Sequence, residues 1–195
     1  MQPIDPIVRA TERMLLRPLT EDDAEEFARV LGVSRAAWAP WMPSRPAGSS
    51  DVDVFTEELE RASHGLQAGT HLRLAGFLDD GRLAGLFSLN EIVRGPFESA
   101  HAGWSVSADQ MGQRLGTEGV RALLDVAFAD PPRGLALHRV QANIIPRNAP
   151  SLRIAQKVGL RREGLALRYL RIAGRWEDHE MFAITREEHG RASRA

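Results

Sequence analysis

The sequence predicts a mixed α/β protein built on one central, mostly antiparallel sheet flanked by helices. Strand-like segments outnumber helical ones, in the order β-α-α-β-β-β-α-β-α-β-β. The short turns at Asp79-Asp80-Gly81 and Ala173-Gly174 each join two consecutive strands, which is typical of antiparallel hairpins. One strand–helix–strand crossover adds a parallel pair. A doubly wound parallel sheet is therefore not expected.

Apolar spacing and capping residues predict the elements of the first half. Thr20, with Asp23 three residues later, resembles a capping box, and the helix that it starts is expected to end at Gly32. Ser50 can cap a second helix. The predicted elements are a strand over 12–19, helices over 20–32 and 51–65, a tryptophan–proline loop over 38–43, and strands over 71–78, 82–93 and 99–107.

In the second half, Gly112, Gly116 and Gly119 open a helix that Pro131-Pro132 stops. The remaining predicted elements are strands over 137–145, 161–172 and 175–184 and a helix over 148–158. A chain of 195 residues is expected to form one domain, with a core over about 11–185 and loose termini over 1–10 and 186–195.

The composition excludes several kinds of chemistry. The chain has no cysteine and a single lysine, Lys157, beside 24 arginines and 26 acidic residues. Thiol catalysis, disulfides and cysteine-based zinc sites are therefore excluded, and no Gly-Lys-Ser/Thr phosphate loop is present. No metal is expected.

The distribution of charge and hydropathy predicts which kinds of ligand and partner the protein binds. Residues 1–100 carry a net charge of −6 and residues 101–195 a net charge of +5, which predicts an anionic ligand in the second half. The pI near 6.6 argues against DNA binding. No run of 18 apolar residues and no secretion signal are present, so a cytoplasmic protein without a membrane partner is expected.

The segment from Gly103 to Val120 is the most informative part of the chain. A strand runs into a glycine-containing loop and then into a helix, which exposes backbone N–H groups at the positive end of the helix dipole. Such a junction suits phosphate oxygens. The spacing Gly112-x3-Gly116-x2-Gly119 differs from the G-x-G-x-x-G of dinucleotide-binding folds.

Together with the segment from His138 to Gly164, this junction resembles the GCN5-related N-acetyltransferase (GNAT) superfamily, and more closely its ribosomal-protein N-terminal acetyltransferase (RimJ/RimL-type) branch. The most specific match is Asn148-x-x-Ser151 followed by Lys157-Val-Gly-Leu and Glu163-Gly164. The segment Tyr169–His179 is similar to the closing hairpin of that branch. The superfamily pattern Gln/Arg-x-x-Gly-x-Gly/Ala reads Met111-Gly-Gln-Arg-Leu-Gly116 here, so an arginine replaces the first glycine.

The resemblance implies that acetyl-CoA is the cosubstrate and that backbone amides bind its phosphates. Arg114 can add a charge-assisted bond to the pyrophosphate. The coenzyme-binding residues that the resemblance implies are Val106, Ser107, Met111, Gly112, Gln113, Arg114, Leu115, Gly116, Thr117, Asn143, Asn148 and Ser151.

Without a cysteine, an acyl-cysteine intermediate is excluded, and we expect direct transfer in a ternary complex. By resemblance, the Val106 N–H polarises the carbonyl, Ser151 protonates the departing sulfur and Asn148 lies against the pantetheine arm. Alternatively, Ser151 only caps its helix. The glutamate of serine-acetylating relatives corresponds to Leu170, which leaves the base open among a water chain and five side chains, those of Glu91, His101, His138, His179 and Glu180.

The acceptor is expected to be a primary amine, foremost the N-terminal α-amine of a protein. Candidate substrate-binding residues are Trp38, Trp41, Glu91 and His101, and the alternative for the two tryptophans is ordinary core packing. The alternative functions are acylation of a small amine (an antibiotic, a polyamine or an amino acid) and a catalytically silent acyl-CoA-binding module. A monomer or a homodimer is expected.

Overall fold

The computed structural model describes residues 8–44 and 48–192, and its centre is an eight-stranded sheet. The strands are β1 (Arg9–Ala10), β2 (Met14–Arg17), β3 (Leu72–Leu78), β4 (Leu83–Val93), β5 (Ser99–Val106), β6 (Arg139–Ile144), β7 (Arg161–Ile172) and β8 (Arg175–Thr185). Their order in the sheet is β1-β2-β3-β4-β5-β6-β8-β7, and only the β5–β6 pair is parallel within the described sheet. The predicted mixed, mostly antiparallel sheet is confirmed.

Helices cover both faces of this sheet. They are α1 (Ala24–Trp38), α2 (Asp51–Ala68), α3 (Leu115–Phe128), α4 (Ala149–Lys157) and α5 (Arg186–Ala192). Side chains alternate between the faces along a strand. On β3, Leu74 belongs to the core under α3 and α4, whereas Ala75 and Phe77 pack with Phe27 of α1 and Val54 of α2.

Two helices are longer than the sequence predicts, because each continues past the glycine at which it is expected to end. Gly32 lies inside α1, where it is exposed, and Leu31 and Ser34 on either side of it are buried. The packed face therefore outweighs the cost of about 1 kcal/mol that a glycine brings to a helix. Helix α2 passes Gly65 and ends at Gly69, whose φ of 67° fits a left-handed cap.

The predicted loose termini are wrong at two places, while residues 1–7 and 193–195 lie outside the described residues. Arg9 and Ala10 pair with β2, and α5 follows β8 directly. Both pieces are fixed by one carboxylate on α3, because Asp125 contacts Arg9 at 2.7 Å and His189 at 2.8 Å. These polar contacts join distant parts of the chain, so no local sequence pattern predicts them.

The glycines of the central segment bring α3 into close contact with the sheet. A Cβ atom at Gly119 would lie 2.0 Å from Phe87 Cζ, and one at Gly116 would lie 2.9 Å from Val106 Cγ2. The helix begins at Leu115, so Gly112 belongs to the preceding loop rather than to the helix. The backbone of α3 therefore rests directly on β4 and β5.

The parallel pair β5–β6 separates along its length. Pairing joins Ser99–His101 with residues 139–141 and then stops. Strand β5 continues to Val106 and β6 continues to Ile144 without pairing to each other. The sheet therefore opens into a gap at the C-terminal ends of these two strands.

Candidate active site

A cleft of about 1630 Å³ follows this gap through the sheet. At one end it is lined by the loop before α3 and by the first turns of α3 and α4. At the other end it reaches α1, α2 and the segment Trp38–Ser44. The predicted residues that line it are Trp38, Trp41, Val106, Met111, Gly112, Arg114, Leu115, Gly116, Thr117, Asn143, Asn148 and Ser151.

Strand β5 presents main-chain groups to the gap. The Ser107 N–H donates to the Ala84 carbonyl of β4 at 2.9 Å, so the alternate residues Trp104 and Val106 point their main-chain groups away from β4. The Val106 carbonyl accepts a hydrogen bond from Trp38 Nε1 at 2.9 Å. The Val106 N–H therefore remains as a donor facing the gap.

Strand β6 faces the gap in the same way. The Arg139 N–H donates to the Glu98 carbonyl before β5, at 3.1 Å, so Asn143, four residues further along, presents its main chain to the same side. Donors and acceptors on both walls suit a ligand arm that contains amides, because each amide can hydrogen-bond as an added strand would.

The loop before α3 is suited to anions. Within residues 8–44 and 48–192, the main-chain N–H groups of residues 112–116 make no hydrogen bond. They lie at the N-terminal end of α3, where the helix dipole is positive. The positive φ angles of Gly112 (81°) and Arg114 (66°) turn the backbone at this point. This arrangement is suited to phosphate oxygens.

Three cations line the cleft beside this loop. Arg114 comes from the loop itself, and Arg153 and Lys157 lie one turn apart on α4. None of the three side chains forms an ion pair within the part of the chain that the structure describes. Arg153 was not among the predicted site residues, and its i, i+4 spacing with Lys157 is the signal that places both on one helical face.

Ser107 and Gln113 do not line the cleft. The Ser107 hydroxyl donates to Asp109 at 2.5 Å, and Arg29 of α1 holds the other oxygen of that carboxyl at 2.7 Å. Ser107 and Arg29 keep the pKa of Asp109 below its usual value by donating these hydrogen bonds, which outweigh the effect of burial. Gln113 turns toward Gln110, at 3.1 Å. Both residues thus stabilise the loop from behind.

At the start of α4, Asn148 and Ser151 have distinct positions. Asn148 is the N-cap, and its Oδ1 accepts a hydrogen bond from the Ser151 N–H at 3.2 Å. The alternative in which Ser151 caps the helix is therefore wrong. Among the described residues, the Ser151 hydroxyl has no hydrogen-bond partner, and it lies at the cleft.

His101 and Glu91 lie at the edge of the site rather than in the cleft lining. The Asn143 amide nitrogen lies 3.2 Å from Tyr169 Oη and 3.5 Å from His101 Nδ1. Glu91 lies at an irregularity of β4, with a φ of 50° and an exposed side chain, 3.7 Å from His101. Both belong to the polar surroundings of Asn143.

The structure separates the remaining candidate bases. His138 faces Glu187 at 3.7 Å, and Glu180 accepts a hydrogen bond from Arg162 at 2.8 Å. Neither lines the cleft, and Leu170 is exposed. His179 does line the cleft and is only 3% exposed.

The two tryptophans have different environments. Trp38 is buried in the core between α1, α2 and the sheet, and it also bonds to Val106. Trp41 is half-buried at the cleft, with the Arg147 guanidinium 5.3 Å from its ring. Arg147 also contacts Glu177 on β8 at 2.7 Å, so it joins the tryptophan segment to the closing hairpin.

The fold and the cleft define a class of enzyme, and comparison with known families agrees with it. The model of the acetyltransferase (GNAT) domain matches residues 13–161. The chain belongs to this family. It is an acetyl-CoA-dependent N-acetyltransferase.

The relatives lie in the RimJ/RimL-type branch and its neighbours. The probable N-acetyltransferase YjcK of Bacillus subtilis is 32% identical over 170 residues, which cover 87% of this chain and 92% of that protein. The [ribosomal protein uS5]-alanine N-acetyltransferase of Escherichia coli is 28% identical over 176 residues, covering 90% and 89%. The structure of Mycobacterium smegmatis RimJ in complex with CoA-disulfide matches with a TM-score of 0.85 at 29% identity, covering 96% and 91%.

Two further observations concern membranes and metal ions. None of the helices in the described ranges has the length and apolar character needed to cross a membrane. The described residues contain no group of three or more His, Cys, Asp or Glu side chains placed to hold a metal ion.

Proposed function

We propose that this enzyme acetylates the α-amine of a protein N-terminus, by direct transfer from acetyl-CoA in a ternary complex. The observation that carries the proposal is the cleft itself. It continues past the gap between β5 and β6 to an open end between α1, α2 and the tryptophan segment. An extended peptide can enter from this end while the coenzyme occupies the other.

The charges at the acceptor end favour a peptide over a polyamine. Three carboxylates line this end, and each is paired with an arginine: Asp51 with Arg35 at 2.5 Å, Glu57 with Arg61 at 3.5 Å, and Glu58 with Arg73 at 2.6 Å. The lining at this end carries as many arginines as carboxylates, so it offers no net negative charge to attract a polycation. The expectation that the acidic first half attracts a cationic amine is thus not supported at this end.

The pKa of the acceptor amine also favours a protein N-terminus. An α-amine has a pKa near 8, whereas a lysine side chain has one near 10.4, so an α-amine loses its proton far more easily. Every described carboxylate in the cleft lining is engaged by an arginine, which leaves no strong carboxylate base there. Such a cleft suits the acceptor that needs the weaker base.

The coenzyme end fits the same chemistry. The free N–H groups of residues 112–116 and the cations Arg114, Arg153 and Lys157 would hold the phosphates. The main chains of Val106 and Asn143 would hold the pantetheine arm, together with the amide nitrogen of Asn148, which has no partner among the described residues. When bound, acetyl-CoA supplies the thioester carbonyl that the amine attacks.

Two groups of the chain would assist the transfer. The Val106 N–H would donate to the carbonyl oxygen as that oxygen gains negative charge. The Ser151 hydroxyl, without a partner among the described residues, would give its proton to the departing sulfur. The side chains of Ser107 and Gln113 would take part only by holding the phosphate loop.

An acceptor screen that measures release of free thiol from acetyl-CoA tests the proposal. One arm uses peptides that begin with Ala, Ser or Met, and the same peptides with acetylated N-termini serve as matched controls. The other arm uses spermidine, amino acids and aminoglycosides. We expect turnover with free N-termini and none with the blocked peptides. Turnover confined to the small amines would overturn the proposal.

A further inference from the structure

The imidazole of His179 is a buried basic group at the wall of the cleft. It lies on β8, two residues before Met181, which pairs with Asn143 of β6, so His179 and Asn143 project from the same face of the sheet. It is the only imidazole among the described residues that line the cleft. An ammonium group must lose a proton before it can attack, and neither Val106 nor Ser151 takes up that proton.

The hydrogen bond on the other side of the ring fixes its tautomer. His179 Nδ1 lies 3.0 Å from the Glu177 carbonyl oxygen. A carbonyl oxygen only accepts, so Nδ1 carries the proton, and the lone pair of the neutral ring is on Nε2. Within the described part of the chain, Nε2 has no hydrogen-bond partner. This nitrogen is therefore free to accept a proton from a group in the cleft.

The ring is also held in place by Tyr169. The two rings lie edge to face, with centroids 5.5 Å apart at 61°. Tyr169 is fixed in turn by Asn143, whose amide nitrogen lies 3.2 Å from the phenol oxygen. Tyr169 reaches this position because β7 has an irregularity between Ala166 and Leu170, where the register with β8 shifts.

The charged groups around His179 have other partners. On β8 itself, Glu177 pairs with Arg147 at 2.7 Å and Glu180 with Arg162 at 2.8 Å. Asp178 accepts a hydrogen bond from the Arg168 N–H at 2.7 Å. From the neighbouring strands, β7 contributes the phenol of Tyr169 and β6 the uncharged amide of Asn143. No described carboxylate pairs with the imidazole, which leaves Nε2 to the ligands of the cleft.

We propose that His179 Nε2 is the general base that takes a proton from the ammonium group of the acceptor. The neutral amine then forms the N–C bond to the acetyl carbonyl as the C–S bond breaks. The ammonium group loses two protons in all. His179 takes one of them and releases it to solvent. The other replaces the proton that Ser151 gives to the sulfur. The proposal deepens the proposed function but holds for any amine acceptor.

The variant His179→Asn tests this role with little disturbance of the fold. The Asn amide can still donate to the Glu177 carbonyl, whereas the basic nitrogen is lost. We expect kcat/KM to fall about 100-fold, and its dependence on pH to differ from that of the wild type. Acetyl-CoA affinity should match that of the wild type, whereas the melting temperature should fall by a few degrees, because the edge-to-face contact with Tyr169 is lost. The matched control His138→Asn should keep the wild-type rate and pH profile.

A rate within threefold of the wild type with an unchanged pH profile in His179→Asn would overturn the proposal. A second measurement is independent of any acceptor: nitrogen NMR of the free wild-type enzyme above neutral pH should show His179 protonated at Nδ1 and bare at Nε2. The opposite tautomer would also overturn it. If only small amines prove to be acceptors, the proposed function fails, and the same two variants decide the role of His179 on those amines.

Discussion

Replacing Arg114 should change stability and coenzyme affinity in separable ways. Its φ of 66° lies in the left-handed region, which costs a non-glycine residue about 1–2 kcal/mol. Both Arg114→Gly and Arg114→Ala remove the guanidinium, but only glycine removes the strain. Because glycine also loses more entropy on folding, we expect Arg114→Gly to be about 1 kcal/mol more stable than Arg114→Ala, a difference of roughly 2–4 °C in melting temperature.

The two variants should bind acetyl-CoA equally, and both less tightly than the wild type. Arg114 is exposed, so its bond to a phosphate is expected to contribute about 1 kcal/mol, or roughly a fivefold change in Kd at low salt, and less at high salt. Calorimetric titration measures the affinity, and thermal unfolding without ligand measures the stability. Equal melting temperatures would contradict the left-handed backbone, and wild-type affinity at low salt would place the guanidinium away from the phosphates.

Three more predictions concern catalysis and stability. Ser151→Ala should lower kcat by about 10- to 100-fold with nearly unchanged acetyl-CoA affinity, and full turnover would remove Ser151 from the acid role. Burial would raise the pKa of Asp125, but the hydrogen bonds from His189 and Arg9 outweigh it and lower that pKa. Asp125→Asn should therefore lower the free energy of unfolding by about 1 kcal/mol above pH 5. The difference in stability between variant and wild type should vanish as acid protonates the wild-type carboxyl. Denaturant melts measure this difference, and a difference that does not change with pH would refute the prediction. Gly119→Ala, whose Cβ would overlap the Phe87 ring, should destabilise the fold by about 1–3 kcal/mol, and an unchanged melting temperature would contradict the close packing of α3 on β4.

The elements with strong local signals could be predicted from the sequence. The hairpin turn at Gly81, with a φ of 85°, and the cap at Ser50, which accepts from the Asp53 N–H, both occur as predicted. The junction before α3 likewise has free N–H groups beside cations. In each case the information lies within a few neighbouring residues, because φ preference and side-chain capping act locally.

The rest depends on contacts between distant residues. Helix α1 passes Gly32 because tertiary packing of its buried face compensates the glycine, and α5 forms next to the polar contacts of Asp125. At the site, the sequence does not show that the Ser107 hydroxyl turns to Asp109, nor that the Glu177 carbonyl fixes the imidazole of His179. These roles depend on side-chain direction, which local spacing does not determine.

The proposal that the enzyme transfers acetyl to an α-amine rests on a cleft whose described carboxylates are all paired with arginines. Its most direct test is an internal competition: a peptide with a free N-terminal alanine and one internal lysine is incubated with acetyl-CoA, and fragmentation mass spectrometry locates the acetyl group. The structure predicts modification of the N-terminal nitrogen, with the lysine unmodified. Acetylation of the lysine side chain, with a free N-terminus, would contradict the account.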